Sequence, residues 1–222
     1  MFQFFFTYCK RFLSNPGFYH FSRQFLLLGM PLKKWAEYGN YYNPAERIAD
    51  LGCGPADILR VLDKNQLPAF YLGIDTSNLY LDKAKQRAAS IGLHAHFINL
   101  DLNSLAGSYA VKRQLVNTLT EFTITTVNLF GLVHHLDDQA ILNTLNLIYD
   151  CHTIQSINTQ DVLIIEGNAV NNFYASLDRG GFVRTENQYD VLLHKSNWKN
   201  IEKRWTKAGV GKVKYIHYKL EK

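Results

Sequence analysis

The chain has 222 residues, 47% of them apolar and 19% charged, with a formal net charge of +5. That length suits one domain with a sizeable core, and the composition is that of a soluble globular protein. No stretch approaches the roughly 20 apolar residues of a membrane-spanning helix. Cys9, Cys53 and Cys151 lie far apart with no C-x-x-C pair, which argues against a disulfide framework and a zinc site. His134 and His135 are adjacent rather than four apart, so no metal is expected.

The first segment reads as helical. Phe2, Phe5, Phe6, Cys9, Phe12 and Leu13 recur at helical steps, and Phe18, Phe21, Phe25 and Leu28 repeat the pattern. Asn15-Pro16-Gly17 separates the two stretches, and Pro31 ends the second. Residues 1–43 are expected to form a helical lid or extension. The flanking Lys10, Arg11, Arg23, Lys33 and Lys34 leave peripheral contact with a membrane open. The opening makes a poor secretory signal, so a cytoplasmic location is expected.

From residue 44 to residue 222 strands alternate with helices, the pattern of a parallel sheet with crossover helices. Strands are expected at 47–51, 70–74, 96–100, 123–129 and 162–165, and helices at 55–62, 78–90 and 138–149. Ile201 to Trp205 and Val213 to Leu220 alternate apolar and polar residues around Gly209-Val210-Gly211, which reads as a β-hairpin. The expected fold is α/β: one domain with a Rossmann-like, doubly wound sheet, mostly parallel, plus a C-terminal antiparallel hairpin and N-terminal helices. Between Lys195 and Lys222 nine Lys/Arg stand against two Glu. A solvated strand edge guarded by lysines is preferred there over a contact with an anionic acceptor.

Asp50-Leu51-Gly52-Cys53-Gly54-Pro55-Ala56 falls where the first strand turns toward the first helix. Gly52 and Gly54 permit a sharp turn and close approach of a ligand, and the helix N-terminus would favour an anionic group. Asp75, 21 residues beyond Gly54, ends the second strand, where a carboxylate can accept both hydroxyls of a ribose. Asp101 ends the third strand beside the same crevice and could accept from an adenine amino group. Each acid has a plainer reading as a helix N-cap or loop residue.

On these residues, and on Leu129-Phe130-Gly131-Leu132-Val133-His134-His135-Leu136, the chain resembles the class I S-adenosylmethionine-dependent methyltransferases from about Arg47 to Leu220. The resemblance implies a cofactor site of Asp50, Gly52, Cys53, Gly54, Asp75, Thr76, Asp101, Leu102 and Leu129, with S-adenosylhomocysteine as product. The family's last loop glycine is Ala56 here. Ala56-Asp57-Ile58-Leu59, Asp178 to Arg184 and Lys212 to His217 resemble bacterial methyltransferases encoded with polysaccharide genes, which implies a sugar or other small acceptor, an anionic one remaining open. His134 is the expected general base and His135 a structural residue. Arg179 and Arg184 are expected to bind substrate through bidentate contacts.

Three rivals stay in view. A nicotinamide-dependent dehydrogenase conflicts with Asp57 at the last position of the G-x-G-x-x-G fingerprint. A tRNA or other nucleic-acid methyltransferase would carry an Asn-Pro-Pro-Tyr-like turn where Asn128-Leu129-Phe130-Gly131 stands, so nucleic acid is not expected. A non-catalytic scaffold would have little use for the glycine loop and Asp75. Oligomeric state is left open.

Overall fold

The computed structural model describes residues 45–60, 62, 67–105, 107–176, 180–208 and 213–222. The expected N-terminal lid therefore lies outside the described residues.

Within them the chain runs β1 (Arg47–Leu51), β2 (Phe70–Asp75), α1 (Asn78–Ser90), β3 (Ala95–Asn99), α2 (Tyr109–Glu121), β4 (Thr126–Phe130) and α3 (Asp138–Tyr149). It continues through β5 (Ser156–Ile164), α4 (Ala169–Ser176), β6 (Arg184–Thr185), α5 (Glu186–His194), β7 (Asn200–Ala208) and β8 (Val213–Glu221). The sheet order is β3-β2-β1-β4-β5-β8-β7, with β6 pairing the end of β5. Strands β1 to β6 pair with one another in parallel, and β8 runs antiparallel to both β5 and β7. This is the expected Rossmann-like sheet closed by a hairpin. The basic β7 is an edge strand, as the lysine pattern suggested.

Period-two alternation sorts the strand residues between two faces. Ala49, Leu51, Leu72, Ile74, Val127, Leu129 and Ile157 share the larger core with Leu115 and Leu119 of α2, Ile141 and Leu145 of α3, and Leu192 and Leu193 of α5. Ile48 and Tyr71 face the other way, onto Ile58, Leu59, Ala84 and Ala88. Helices α1, α2, α3 and α5 start on matched caps. Ser77, Ser108 and Asp137 accept amide protons from Tyr80, Val111 and Ala140, and Thr185 forms a capping box with Gln188.

Several expectations need correction. Ala56 has φ 51°, a left-handed value that no α-helix admits. The helix expected at 55–62 therefore shrinks, among the described residues, to a 3-10 turn at Asp57–Arg60. Thr123, φ 45°, breaks the chain after α2, so β4 starts at Thr126 rather than at 123. Helix α2 was not anticipated, although Val111, Leu115 and Leu119 repeat at four-residue steps on its inner side. The fifth strand starts six residues earlier than expected because Ser156 to Asp161 is polar yet buried. Asn158 donates to Asn128 (3.1 Å) and the Thr126 and Ser156 hydroxyls bond each other (3.3 Å), so these polar groups pair inside the sheet.

Gly73 makes a close approach that no other residue allows. It pairs with Phe97 across β2 and β3, and a Cβ there would lie 2.4 Å from the Phe97 ring and 3.1 Å from Cys53 Sγ. Gly73→Ala should lower unfolding free energy by about 1–3 kcal/mol through overpacking. Urea denaturation checks this, and a wild-type midpoint would show that the Phe97 ring swings aside without cost.

Candidate functional site

The parallel strands deliver their carboxyl ends to one edge, where chain reversal leaves room between successive crossovers. At the exit of β1 the backbone turns through Gly52 (φ 73°) and Gly54 (φ 53°). The Gly52 and Cys53 amides both donate to the Ile74 carbonyl, at 2.8 and 3.0 Å. The loop is thereby folded against the end of β2. Arg87 of α1 holds its far side, donating to the Pro55 carbonyl and pairing with Asp57 at 2.8 Å.

Asp75 sits at the centre of this arrangement. One carboxylate oxygen accepts the Gly54 amide (2.9 Å) and the other the Ser77 amide (2.8 Å). Two backbone donors thus fix the carboxylate plane, and each oxygen keeps a second lone pair for another donor. A Cβ on Gly54 would meet nothing within 4 Å, so the loop presents bare backbone to open space beside that acid. The combination fits a nucleoside with its ribose hydroxyls on Asp75 and its tail along the loop.

Asp50 lies beneath the loop, buried in β1, and accepts the Tyr71 hydroxyl at 2.6 Å. Burial pushes its pKa up to about 7, partly offset by the Tyr71 bond and reinforced by the Asp75 charge. Burial, with the Asp50 and Asp75 charges, also pushes the Cys53 thiol far up. The thiolate needed for nucleophilic chemistry is therefore suppressed.

The remaining expected cofactor residues divide. Asp101 is exposed, and its carboxylate accepts from the Asn103 amide (2.9 Å), the Asn103 side chain (3.1 Å) and Ser104 Oγ (3.2 Å). It caps the 3-10 turn Leu102–Leu105, the plainer of its two readings. Thr76 is exposed, and its carbonyl accepts from Asn99 at 2.7 Å. The Leu102 and Leu129 side chains belong to the main core, so a ligand would meet these residues through their backbone. The four-residue turn after the loop is also too short for the helix dipole expected there.

The expected base is placed unexpectedly. His134 is buried while His135 is exposed. Asp161, buried on β5, accepts from the His134 amide (3.1 Å) and lies 2.6 Å from its Nδ1 through the same carboxylate oxygen. Two glycines approach the rest of the ring. A Cβ on Gly180 would come within 2.0 Å of Cδ2, and one on Gly131 within 3.9 Å of Cε1.

Arg184 is a second correction. Its five N–H groups meet the carbonyls of Val133, Phe182 and Leu136 and the Asp138 carboxylate, at 2.7–3.2 Å. No donor is left for a bidentate substrate contact. Arg184 instead stitches the connection before β6 to the turn that carries His134, and the Phe182 amide adds a bond to the His134 carbonyl (2.9 Å). Arg179 lies outside the described residues. Asp161 carried no sequence signal, because it ends a polar run that does not read as a strand.

A small cleft is lined by Ile58, Phe130, Asn158, Gln160, Arg204, His217 and Lys219 among others. His217 is buried there, its Nε2 2.8 Å from the Thr206 hydroxyl, and burial beside Arg204 lowers its pKa to about 4.

Residues 48–152 match the family described as a methyltransferase domain. The match covers a little under half of the chain. Its fold recurs in a SAM-dependent methyltransferase from Archaeoglobus fulgidus, with TM-score 0.64 and 12% identity over 92% of this chain and 99% of that one. It recurs also in magnesium protoporphyrin IX methyltransferase from Synechocystis, solved with bound S-adenosylhomocysteine. There the TM-score is 0.59 and the identity 15%, over 97% of this chain and 99% of that one. Carboxy-S-adenosyl-L-methionine synthase from Trichodesmium erythraeum is 42% identical over 52 residues, 23% of this chain. The match spans about a fifth (21%) of the synthase's length. Among the described residues, no helix is long and apolar enough to cross a membrane.

Two buried groups give the domain opposed pH dependences. Asp50 binds its proton more tightly when folded, so its stabilisation is present at low pH and lost as pH rises from about 4 through about 7. His217 resists its proton when folded, so its stabilisation is present above about 6.5 and lost as pH falls toward about 4. Between those limits the two offset each other. Asp50→Asn should expose the His217 contribution, with the urea midpoint climbing from about pH 4.5 to about pH 6.5. A profile identical to wild type would mean that Asp50 is already ionised in the folded protein.

Proposed function

We propose that this chain binds S-adenosylmethionine at the exits of β1 and β2 and transfers its methyl group to a small-molecule acceptor. The observation that carries this reading is the bare backbone at Gly54 beside an acid already oriented by two amides. The domain family and the fold shared with a protein that holds S-adenosylhomocysteine support it.

When bound, the cofactor supplies a methyl group activated by the sulfonium charge. The chain's own residues orient and protect. Asp75 accepts the ribose hydroxyls, and Gly52 and Gly54 let the backbone approach the amino-acid tail. Asp50 and Cys53 wall the loop from beneath without offering a nucleophile. Displacement at a methyl group is governed by alignment, so holding donor and acceptor in line supplies most of the acceleration. A hydroxyl acceptor must also lose its proton, and His134 is the base we assign to that step.

The acceptor proposed is a hydroxyl-bearing metabolite such as a sugar or other polysaccharide precursor. An anionic acceptor would have to compete with Glu202 (3.4 Å) and Glu221 (2.6 Å), which pair with the cleft's Arg204 and Lys219. The location proposed is cytoplasmic, where the cofactor is made and used.

Calorimetric titration with S-adenosylhomocysteine, and separately with NAD, tests the reading. We expect binding of the first alone. Asp75→Asn, which turns one carboxylate oxygen into a donor facing an amide N–H, should weaken that binding at least tenfold, about 1.4 kcal/mol, while unfolding stays cooperative. An unchanged dissociation constant would remove Asp75 from the site, and preferential NAD binding would replace the assignment altogether.

A further inference from the structure

We infer that Asp161 is a positioning residue that fixes the tautomer of His134, making Nδ1 the protonated nitrogen and Nε2 the basic one. The inference rests on the reading of His134 as the base and deepens it.

The argument begins with one oxygen. Asp161 Oδ1 lies 3.1 Å from the His134 amide nitrogen and 2.6 Å from Nδ1 of the same residue. The amide is an obligate donor, so it orients that oxygen as an acceptor toward His134. An ionised carboxylate has no proton to give, so the ring nitrogen beside it must itself donate. A neutral imidazole has one N–H, and with that proton on Nδ1 the lone pair is left on Nε2. Both partners are buried, so the bond does not compete with bulk water.

The surroundings hold the ring against rotation. Gly180 packs across Cδ2 so closely that a methyl group would collide with both the ring and the His134 carbonyl, at 2.0 and 2.6 Å. The exposed His135 ring lies 4.4 Å away, centroid to centroid. Arg184 grips the Val133 and Leu136 carbonyls on either side of the turn. Nε2 is the ring atom between Cδ2, which Gly180 packs against, and Cε1, on the side of Gly131. A hydroxyl acceptor would meet the base at that atom. Its proton would pass to Nε2 as oxygen forms its bond to the methyl carbon and the sulfur–carbon bond breaks, with that electron pair returning to sulfur.

The test reads the ring nitrogens directly. The full chain labelled with ¹⁵N-histidine, compared with His134→Gln to assign the signals, should at about pH 8.5 show His134 with a protonated Nδ1 and an unprotonated Nε2. Asp161→Ala should shift the ring toward the Nε2–H form that imidazole favours in water. Should that variant fail to fold, the wild-type spectrum decides alone. A wild-type ring protonated at Nε2, whether singly or on both nitrogens, overturns the inference. The tautomer is independent of turnover. Undiminished methyl transfer by His134→Ala would instead sink the base assignment and leave the Asp161 bond standing.

Discussion

The Asp75 carboxylate takes one amide proton from each side of a crevice, from Gly54 on the loop leaving β1 and from Ser77 at the start of α1. Three pieces of chain are tied by that one group. The loop cannot lift from β2, because its Gly52 and Cys53 amides are also bound to Ile74. Helix α1 cannot slide, because its cap residue is anchored, and its Arg87 returns to grip the loop at Pro55 and Asp57. A ligand meeting this site finds its acceptor already aimed. Preorganisation of this kind lowers the cost of binding.

A second set of ties works at the next gap in the sheet. Arg184 and the Phe182 amide join the connection before β6 to the turn after β4, while Asp161 reaches the same turn from within β5. In the proposed reaction the two constraints would divide the labour: one side of the edge would hold the nucleoside, and the other a ring whose tautomer is set by Asp161. Gly54 keeps the backbone bare beside Asp75, and Gly180 lets the chain pack against the His134 ring.

Much of this was legible in the sequence. The strand at Arg47–Leu51, the helices Asn78–Ser90 and Asp138–Tyr149 and the terminal hairpin announced themselves through apolar spacing, caps and turn residues. The glycine loop and Asp75 were legible for a different reason: their residue types are dictated by backbone conformation and by where a carboxylate can sit. What stayed hidden was governed by partners distant in sequence. Ser156 to Asp161 reads as a polar loop because nothing local reveals Asn128 and His134 waiting across the sheet. Arg184 resembled a substrate clamp until its carbonyl partners, 48 and 51 residues away, were seen. Ala56 stood in a glycine's place, and only its left-handed φ shows that it still makes a glycine's turn at the cost of the following helix.

The central claim concerns where the nucleoside lies, and a crystal structure with S-adenosylhomocysteine addresses it most directly. The account predicts both ribose hydroxyls within hydrogen-bonding distance of Asp75, with the amino-acid tail running along Gly52 to Gly54. A nucleoside bound elsewhere, or a loop that must break the Gly54–Asp75 bond and close over the crevice, would contradict it.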